Sequence, residues 1–272
     1  MLEIGSKTRL LVGLIIIFVL INAFYFLCLW FLPAAAVPFT LGLGICIVIY
    51  FIYRWQIKPP TYDKEIQDLH GMLNLLPLLN GTFLPFGSWA MEPQSLVNLL
   101  SSIQLQKCHT IVECGSGLST LLIAALLEQQ AQGHLFSIEE DNEWYHLMVK
   151  LIRQRGLEHR VTLIHAPLTK YNGLSEAIEW YSTSEIARSL GGIAHIDLLL
   201  VDGPKSKTPL SRYPALPFFQ PWIDQSTMLV LDDARRAHEQ IVLERWQLEF
   251  PVTIDTDLSS AHGQARVRFT QS

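Results

Sequence analysis

Residues 113–120 have the sequence Glu113-Cys114-Gly115-Ser116-Gly117-Leu118-Ser119-Thr120, and this stretch decides the fold. We predict a short apolar strand before it, over Thr110–Glu113, and an apolar helix after it, over Ser119–Gln130. Two glycines between a strand and a helix allow the backbone to turn sharply and to approach a ligand closely. The first turn of the helix also offers free N–H donors. Together these features indicate a strand–loop–helix unit with a binding loop.

An acidic residue follows at the end of the next predicted strand, His134–Glu139. Glu139 lies 22 residues after Gly117, where a carboxylate can accept hydrogen bonds from both hydroxyls of a ribose. A glycine pair alone could be no more than a tight turn. The combination of strand, Glu-x-Gly-x-Gly, helix, strand and acid favours a site for a nucleoside cofactor.

The chain beyond residue 139 continues to alternate between helix and strand patterns. We predict helices over Asn142–Arg155 and over the polar stretch 173–190. The remaining predicted strands are Val161–His165, Ile196–Val201, Met228–Leu231, Val252–Asp255 and Ala265–Phe269. Such alternation is typical of a parallel sheet with right-handed crossovers. The predicted fold class is therefore α/β, a Rossmann-like, seven-stranded, mostly parallel sheet that closes with a C-terminal antiparallel hairpin.

The type of nucleoside cofactor follows from the residues around the two glycines. A dinucleotide site would have a third glycine where this chain has Thr120. The pattern Glu-x-Gly-x-Gly-x-Ser instead resembles motif I of class I S-adenosylmethionine-dependent methyltransferases. The resemblance implies that Glu113 lies near the methionine amino end of the cofactor and that Glu139 holds its ribose. It also implies loop contacts with the cofactor from Gly115, Ser116, Gly117 and Ser119, and Trp89 either packs on the cofactor or anchors the N-terminal loop.

Four further segments resemble the small-molecule O-methyltransferases, the branch that includes the macrolide-sugar and catechol-type enzymes. The resemblance covers about residues 83–270. The segments are Phe86-Gly87-Ser88-Trp89-Ala90, Val201-Asp202-Gly203-Pro204, Arg212-Tyr213-Pro214-Ala215 and Leu231-Asp232-Asp233-Ala234. This resemblance implies methyl transfer from S-adenosylmethionine to an oxygen atom of a small-molecule acceptor. The N-terminal apolar stretches described below, as a membrane tether, suggest instead a glycan or lipid-linked acceptor.

Three aspartates follow the fourth and fifth strands of the predicted parallel sheet. Asp202, Asp232 and Asp233 should meet at its carboxyl edge, where three carboxylates repel one another unless a cation or a proton intervenes. Oxygen ligands suit Mg²⁺, so we predict a magnesium site that aligns the acceptor hydroxyl. Asp202 and Lys205 are the predicted catalytic residues, with Lys205 at the spacing of the general base in the catechol-type enzymes. Alternatively, the aspartates cap the next helix and the lysine is simply solvated.

Other polar residues carry less specific signals. His165 and His195 flank strands and are interpreted as structural, whereas His238 could reach the mouth of the site. Arg212 and Arg235 could bind an anionic substrate or form ordinary ion pairs.

Two apolar stretches near the N-terminus predict membrane-spanning helices over about residues 10–32 and 37–53. Basic residues flank the pair on both outer sides, which by the positive-inside rule places both chain ends in the cytoplasm. We therefore expect a multi-pass protein of the cell membrane that contacts the lipid bilayer through residues 10–53, with its catalytic domain in the cytoplasm. A cleavable signal peptide and a buried helical pair are the alternatives.

The predicted organisation is a membrane anchor over residues 1–58, a linker with N-terminal helices over 59–108, and a cofactor-binding domain over 109–272. Residues 1–58 carry four basic residues and one acid, and are therefore basic. The whole chain has a net charge of −5, so the remaining residues must be acidic. An acidic domain argues against nucleic acid as a partner. Two functions from other classes stay open, an aminopropyltransferase resembling spermidine synthase and a catalytically silent, membrane-bound interaction protein.

Overall fold

The computed structural model describes most of the chain after residue 61 and parts of the chain before it. The described residues are 19–20, 22–27, 29–30, 41–50, 62–79, 90–173, 178–205, 208–257 and 262–270. The chain divides into two compact units, Met1–Asp63 and Lys64–Ser272. The predicted boundaries at residues 58 and 108 stay predictions. The second unit holds all the elements named below, apart from the first two residues of the first helix.

The second unit contains a large sheet, a small sheet and helices that connect their strands. The helices are α1 (Tyr62–Leu79), α2 (Pro93–Gln106), α3 (Leu118–Gln129), α4 (Asn142–Gln154), α5 (Thr183–Ser189), α6 (Ala215–Phe219) and α7 (Ala237–Glu249). The strands are β1 (Thr110–Cys114), β2 (His134–Glu139), β3 (Val161–His165), β4 (Leu168–Tyr171), β5 (Ile178–Tyr181), β6 (Leu198–Val201), β7 (Met228–Asp232), β8 (Val252–Asp257) and β9 (Gln264–Phe269).

Seven strands form the large sheet in the order β3-β2-β1-β6-β7-β9-β8. β1, β2, β3, β6 and β7 are parallel, whereas β9 runs antiparallel to both β7 and β8. The predicted seven-stranded α/β sheet with an antiparallel end is thereby confirmed. The chain moves outward from β1 to β3 on one side and then to β6 and β7 on the other. The strand order therefore reverses at β1, where parallel sheets form a crevice at the carboxyl ends of the strands.

Alternation along the central strands divides the core between the two faces of the large sheet. On one face of the sheet, Leu198 and Leu200 of β6 pack in a cluster with α1, α2, α3 and α4. On the other face, Leu199 and Val201 pack in a cluster with α5, α6, α7 and the small sheet. All four side chains are fully buried. A strand covered on both faces needs apolar residues at every position, which explains the unbroken Leu-Leu-Leu-Val run.

One prediction is wrong between residues 173 and 190, where a single helix was expected. The structure instead has a small antiparallel sheet of β4 and β5, and helix only over Thr183–Ser189. In β5, Ile178 and Trp180 are buried on either side of the exposed Glu179. This period of two is the pattern of a strand. Polar residues around it obscured the pattern, and residues 174–177 lie outside the described residues.

The predicted membrane spans are a second correction. A membrane core of about 30 Å needs about 20 helical residues of apolar character. Within the ranges that the structure describes, no helix is long and apolar enough to cross a membrane. This finding overturns the predicted spans over about 10–32 and 37–53, and the predicted multi-pass location in the cell membrane with a cytoplasmic catalytic domain is wrong. The expected bilayer contact through residues 10–53 depended on the same spans, and parts of both stretches lie outside the described residues.

The small sheet should make a measurable contribution to stability through Trp180. This side chain is fully buried, and its ring lies 5.1 Å from the ring of Phe218 and 6.1 Å from that of Phe219. We expect Trp180→Ala to lower the free energy of unfolding by about 3–5 kcal/mol, because a large cavity remains. Urea denaturation followed by circular dichroism measures the loss. Glu179→Ala, on the exposed side of the same strand, is the control and should change stability little. Equal effects of the two substitutions would contradict the burial pattern.

Candidate functional site

A cleft of about 960 Å³ lies at the carboxyl ends of the central strands. It opens at the point where the strand order reverses, as expected for a ligand site in a parallel sheet. The structure brings most of the predicted site residues to its walls, namely Gly115, Ser116, Gly117, Ser119, Glu139, Asp202, Lys205, Asp232 and Asp233. Trp89 lies outside the described residues.

The two glycines of the loop after β1 have different roles. Gly115 has a φ of +94°, and a Cβ there would lie 3.1 Å from the carbonyl carbon of Asp202. Glycine is therefore required at this position by both conformation and space. Gly117 has ordinary extended backbone, and a Cβ there would meet no described atom within 4 Å. The protein itself leaves this space open towards the cleft, so only a bound ligand would exclude a side chain from it.

Glu139 connects the end of β2 to the glycine loop. Its Oε2 accepts hydrogen bonds from the Ser116 backbone N–H at 3.2 Å and hydroxyl at 2.6 Å. Its Oε1 accepts one from the backbone N–H of Asp141 at 2.9 Å. Burial raises the pKa of Glu139, and these hydrogen bonds act in the opposite direction. A carboxylate offers about four lone-pair sites and these bonds use three, so one ribose hydroxyl can bind to the free site and a second would replace the Ser116 hydroxyl.

Glu113 does not line the cleft, and its predicted role near the methionine amino end of the cofactor, through backbone or water, stays a prediction. Its side chain is fully buried beneath the loop, where Oε2 accepts hydrogen bonds from Thr120 Oγ1 at 2.6 Å and from Ser137 Oγ at 2.7 Å. Thr120 Oγ1 in turn accepts the Gly117 backbone N–H at 2.8 Å. Burial raises the pKa of Glu113 to about 7. The residue therefore supports the loop from inside the core because its strand position points away from the ligand side.

The sequence reasoning missed two residues that hold the other side of the loop. Asp141 Oδ1 caps α4 by accepting the backbone N–H groups of Glu143 and Trp144, both at 2.9 Å. The indole of Trp144 then donates to the backbone oxygen of Ser116 at 2.8 Å. Asp141 directly before a helix was a recognisable capping signal. Nothing in the local pattern indicated the reach of Trp144 back to the loop.

The three predicted aspartates do converge. One carboxylate oxygen from each of Asp202, Asp232 and Asp233 lies within 4.8 Å of the others. Asp232 and Asp233 are buried, and the Asp202 side chain is 18% exposed. Burial, and then the charge of Asp232, raises the pKa of Asp202 well above its usual range. The repulsion that the sequence predicted is therefore present in the structure.

Arg212 provides the opposite charge in this cluster. Its side chain is 4% exposed and its guanidinium donates to the backbone oxygens of Asp202 at 3.0 Å and Asp232 at 3.1 Å. The same group donates to Asp233 Oδ2 at 3.2 Å, and its Nη2 lies 3.6 Å from Asp202 Oδ1. Of the two roles considered for Arg212, the structure therefore shows the ion pair.

Arg212 bears directly on the predicted magnesium site, which stays a prediction: its charge opposes a metal ion that the three carboxylates would attract. A Mg²⁺ ion bonded at about 2.1 Å to Asp202 and Asp233 would lie within roughly 6 Å of the guanidinium of Arg212. Charges of +2 and +1 at that distance repel by on the order of 5 kcal/mol at an effective dielectric constant of about 20. Asp233 Oδ2 also accepts a second guanidinium, from Arg236 at 2.8 Å. The aspartates have the right ligand atoms, but buried arginine already supplies the charge that the metal was expected to supply.

Lys205 lies where the cleft meets a second pocket of about 410 Å³. Its backbone N–H lies 3.5 Å from Glu140 Oε1. The second pocket is lined by residues from the small sheet and from the segment after β6, namely Leu168, Lys170, Ile178, Glu179, Pro204, Lys205, Thr208 and Ser211. The predicted catalytic lysine is therefore shared by two adjoining cavities.

Of the three histidines considered from the sequence, only His238 was expected to reach the mouth of the site. His165, His195 and His238 do not line the cleft. His195 is instead hydrogen bonded to Ser226 at 3.2 Å, before the amino end of β6. The histidine on the cleft wall is His262, in the turn before β9, with its Nδ1 3.5 Å from Asp233 Oδ1. The sequence placed it only in a loop between two strands.

Comparisons with known proteins agree with this geometry. A family model described as a methyltransferase domain matches residues 112–234, and no curated protein matches the chain. A Staphylococcus aureus protein assigned as a caffeoyl-CoA O-methyltransferase is 13% identical, with a TM-score of 0.51 over 81% of this chain and 98% of its own. The Podospora anserina methyltransferase PaMTH1, solved with S-adenosylhomocysteine, is 13% identical, with a TM-score of 0.52 over 74% of this chain and 88% of its own.

A third structure has the cofactor itself. The Streptomyces achromogenes O-methyltransferase TomG, solved with S-adenosylmethionine, is 17% identical, with a TM-score of 0.50 over 74% of this chain and 90% of its own. The chain shares its fold with these three methyltransferase structures. The family match is to a methyltransferase domain, and these neighbours share the fold of the chain.

The buried Glu113 should make stability depend on pH. Its pKa is raised in the folded state from an ordinary 4.5 to about 7. Its contribution to stability is therefore fully present below about pH 4.5 and is lost as the pH rises to about 7. Because glutamine cannot ionise, Glu113→Gln should gain stability relative to the wild type between about pH 5 and about pH 8. Urea unfolding at both pH values measures the change. The exposed Glu244→Gln is the control, and an equal pH response in both variants would refute the role of burial.

Proposed function

We propose that the protein is an S-adenosylmethionine-dependent methyltransferase that acts on an oxygen atom. One observation carries the proposal: the glycine loop and Glu139 meet at a cleft large enough for a nucleoside cofactor, at the strand reversal of the matching fold. Loop backbone, helix N-terminus and carboxylate are the groups that a nucleoside bound there would need. The O-methyltransferases among the structural neighbours support oxygen as the methyl acceptor.

The cofactor would bind through groups that the protein already holds in place. The open space beside Gly117 admits the ligand, and Glu139 accepts the ribose hydroxyls. Ser116 is fixed from two sides, by Glu139 and by the indole of Trp144. The sulfonium of S-adenosylmethionine supplies an activated methyl group. The protein then has to hold the acceptor oxygen in line with that methyl group and to exclude water.

The acceptor would enter from the side of Lys205. The second pocket adjoins the cleft there, and its walls combine apolar side chains with lysine, glutamate and hydroxyl groups. Such a lining suits a small organic molecule with polar substituents. We assign Asp202, which lines the cleft, as the group that takes the proton from the acceptor hydroxyl. Lys205 is assigned to binding the acceptor at the junction of the two cavities.

Two rival functions are less well supported but can be tested directly. An aminopropyltransferase would transfer an aminopropyl group from decarboxylated S-adenosylmethionine, and a silent interaction protein would transfer nothing. Incubation with methyl-labelled S-adenosylmethionine and hydroxylated acceptors, followed by mass spectrometry, separates the three. A labelled methyl group on the acceptor supports the proposal. Aminopropyl transfer from the decarboxylated cofactor, or absence of any cofactor binding, would support a rival.

Gly117→Val should abolish cofactor binding while the fold is retained. The substitution fills the open space beside the loop with a branched side chain, and no described atom lies within 4 Å of the new Cβ. We expect affinity for S-adenosylhomocysteine to fall by at least about tenfold, measured by isothermal titration calorimetry. Gly192→Val is the matched control, since that glycine also has open space but does not line the cleft. Unchanged affinity in Gly117→Val would reject this loop as the binding site.

Asp202→Asn should slow the reaction without loss of the cofactor. A positioned proton acceptor contributes typically about 10²–10⁴-fold to a rate, so turnover should fall within that range. Affinity for S-adenosylhomocysteine should change little, because Glu139 and the glycine loop are untouched. Lys205→Ala should instead raise the KM for the acceptor more than it lowers kcat. If Asp202→Asn turns over as fast as the wild type, then Asp202 is not the proton acceptor.

A further inference from the structure

We infer that Arg212 is the resident cation of the acidic cluster and holds Asp202, Asp232 and Asp233 in place without a divalent metal ion. Arg212 is then a positioning residue, because it acts on the cleft through the aspartates that line it. The inference rests on the proposed function only where enzymatic activity is used to test it. Its structural basis is the set of contacts that the guanidinium makes.

Three of these contacts are to backbone. The guanidinium of Arg212 donates to the carbonyl oxygens of Asp202, Pro204 and Asp232, at 3.0, 3.4 and 3.1 Å. These oxygens belong to the chain segments that leave β6 and β7. One planar group with several donors therefore ties two strand ends together. The positive charge is thereby fixed beside the carboxylates by bonds that do not depend on them.

The guanidinium also contacts a fourth buried acid. Glu239, on α7, is 1% exposed, and its Oε1 lies 3.6 Å from Nε of Arg212. A buried carboxylate needs a charge partner, and Arg212 provides it. The arginine therefore pairs with Glu239 as well as with Asp202 and Asp233. This is the arrangement of a permanent counter-ion rather than of a side chain that moves aside for a metal.

Protein donors also satisfy the aspartates at positions that a metal would need. Asp233 Oδ2 accepts both Arg212 and Arg236, at 3.2 and 2.8 Å. Asp232 Oδ1 accepts the amide of Gln264 at 3.2 Å. The more exposed Asp202 is left facing the cleft, with its backbone fixed by the guanidinium. Arg212 thereby determines where the Asp202 carboxylate points.

Manganese binding to the full chain tests the inference, with electron paramagnetic resonance to count bound Mn²⁺. If no metal ion binds among the aspartates, Asp232→Asn removes no Mn²⁺ site. We therefore expect the wild type and Asp232→Asn to give the same Mn²⁺ titration. Arg212→Gln removes the cation and should gain Mn²⁺ affinity of about tenfold or more. Arg153→Gln removes an exposed arginine elsewhere and is the control. Activity of the wild type should persist in excess EDTA.

The opposite results overturn the inference. One Mn²⁺ bound to the wild type and lost in Asp232→Asn would show a metal site, as would loss of activity in EDTA. If circular dichroism shows that Arg212→Gln is unfolded, the wild-type and Asp232→Asn titrations decide alone. Calorimetry of the wild type with S-adenosylhomocysteine tests the proposed function separately, since failure to bind it would leave the manganese result unchanged.

Discussion

The reversal of strand order at β1 is the constraint on which the candidate site depends. The chain leaves β1 through α3 towards β2 and later returns on the other side to β6, so the loops that follow β1 and β6 face each other. Gly115 approaches the backbone of Asp202 so closely that a Cβ would lie 3.1 Å away. The cofactor loop and the acidic cluster are thus neighbours because the topology makes them so.

Burial of charge is the second consequence of this topology. Carboxyl groups that gather at the covered end of a parallel sheet lose water and must find other partners. Glu113 finds the hydroxyls of Thr120 and Ser137. The aspartates after β6 and β7 find Arg212, which lies on the segment between those strands. The partners differ because hydroxyl groups can satisfy the hydrogen bonding of one isolated acid, whereas three acids together require a positive charge.

Local pattern was sufficient for much of the fold and for part of the site. Short runs rich in apolar residues predicted each strand of the large sheet. The signal is strongest in β1, β6 and β7, which are buried at nearly every position because both faces are covered. The loop residues and Glu139 were recognisable because a glycine loop between strand and helix has few other uses. The small sheet was missed because two short strands among polar residues carry little periodicity. The membrane spans were predicted from apolar length, and among the described residues no helix is long and apolar enough to cross a membrane.

By itself, the sequence determined the order of the strands of the large sheet along the chain, the position of the glycine loop and the convergence of three aspartates. Each follows from short-range pattern and from parallel topology. Only the tertiary structure decided how those residues are used. Glu113 turned out to face the core, because alternation along β1 sends its side chain away from the cleft. Arg212 turned out to be the counter-charge for Asp202 and Asp233, because the segment between β6 and β7 folds back over their ends. Which charges meet depends on contacts between distant parts of the chain, and no local pattern specifies them.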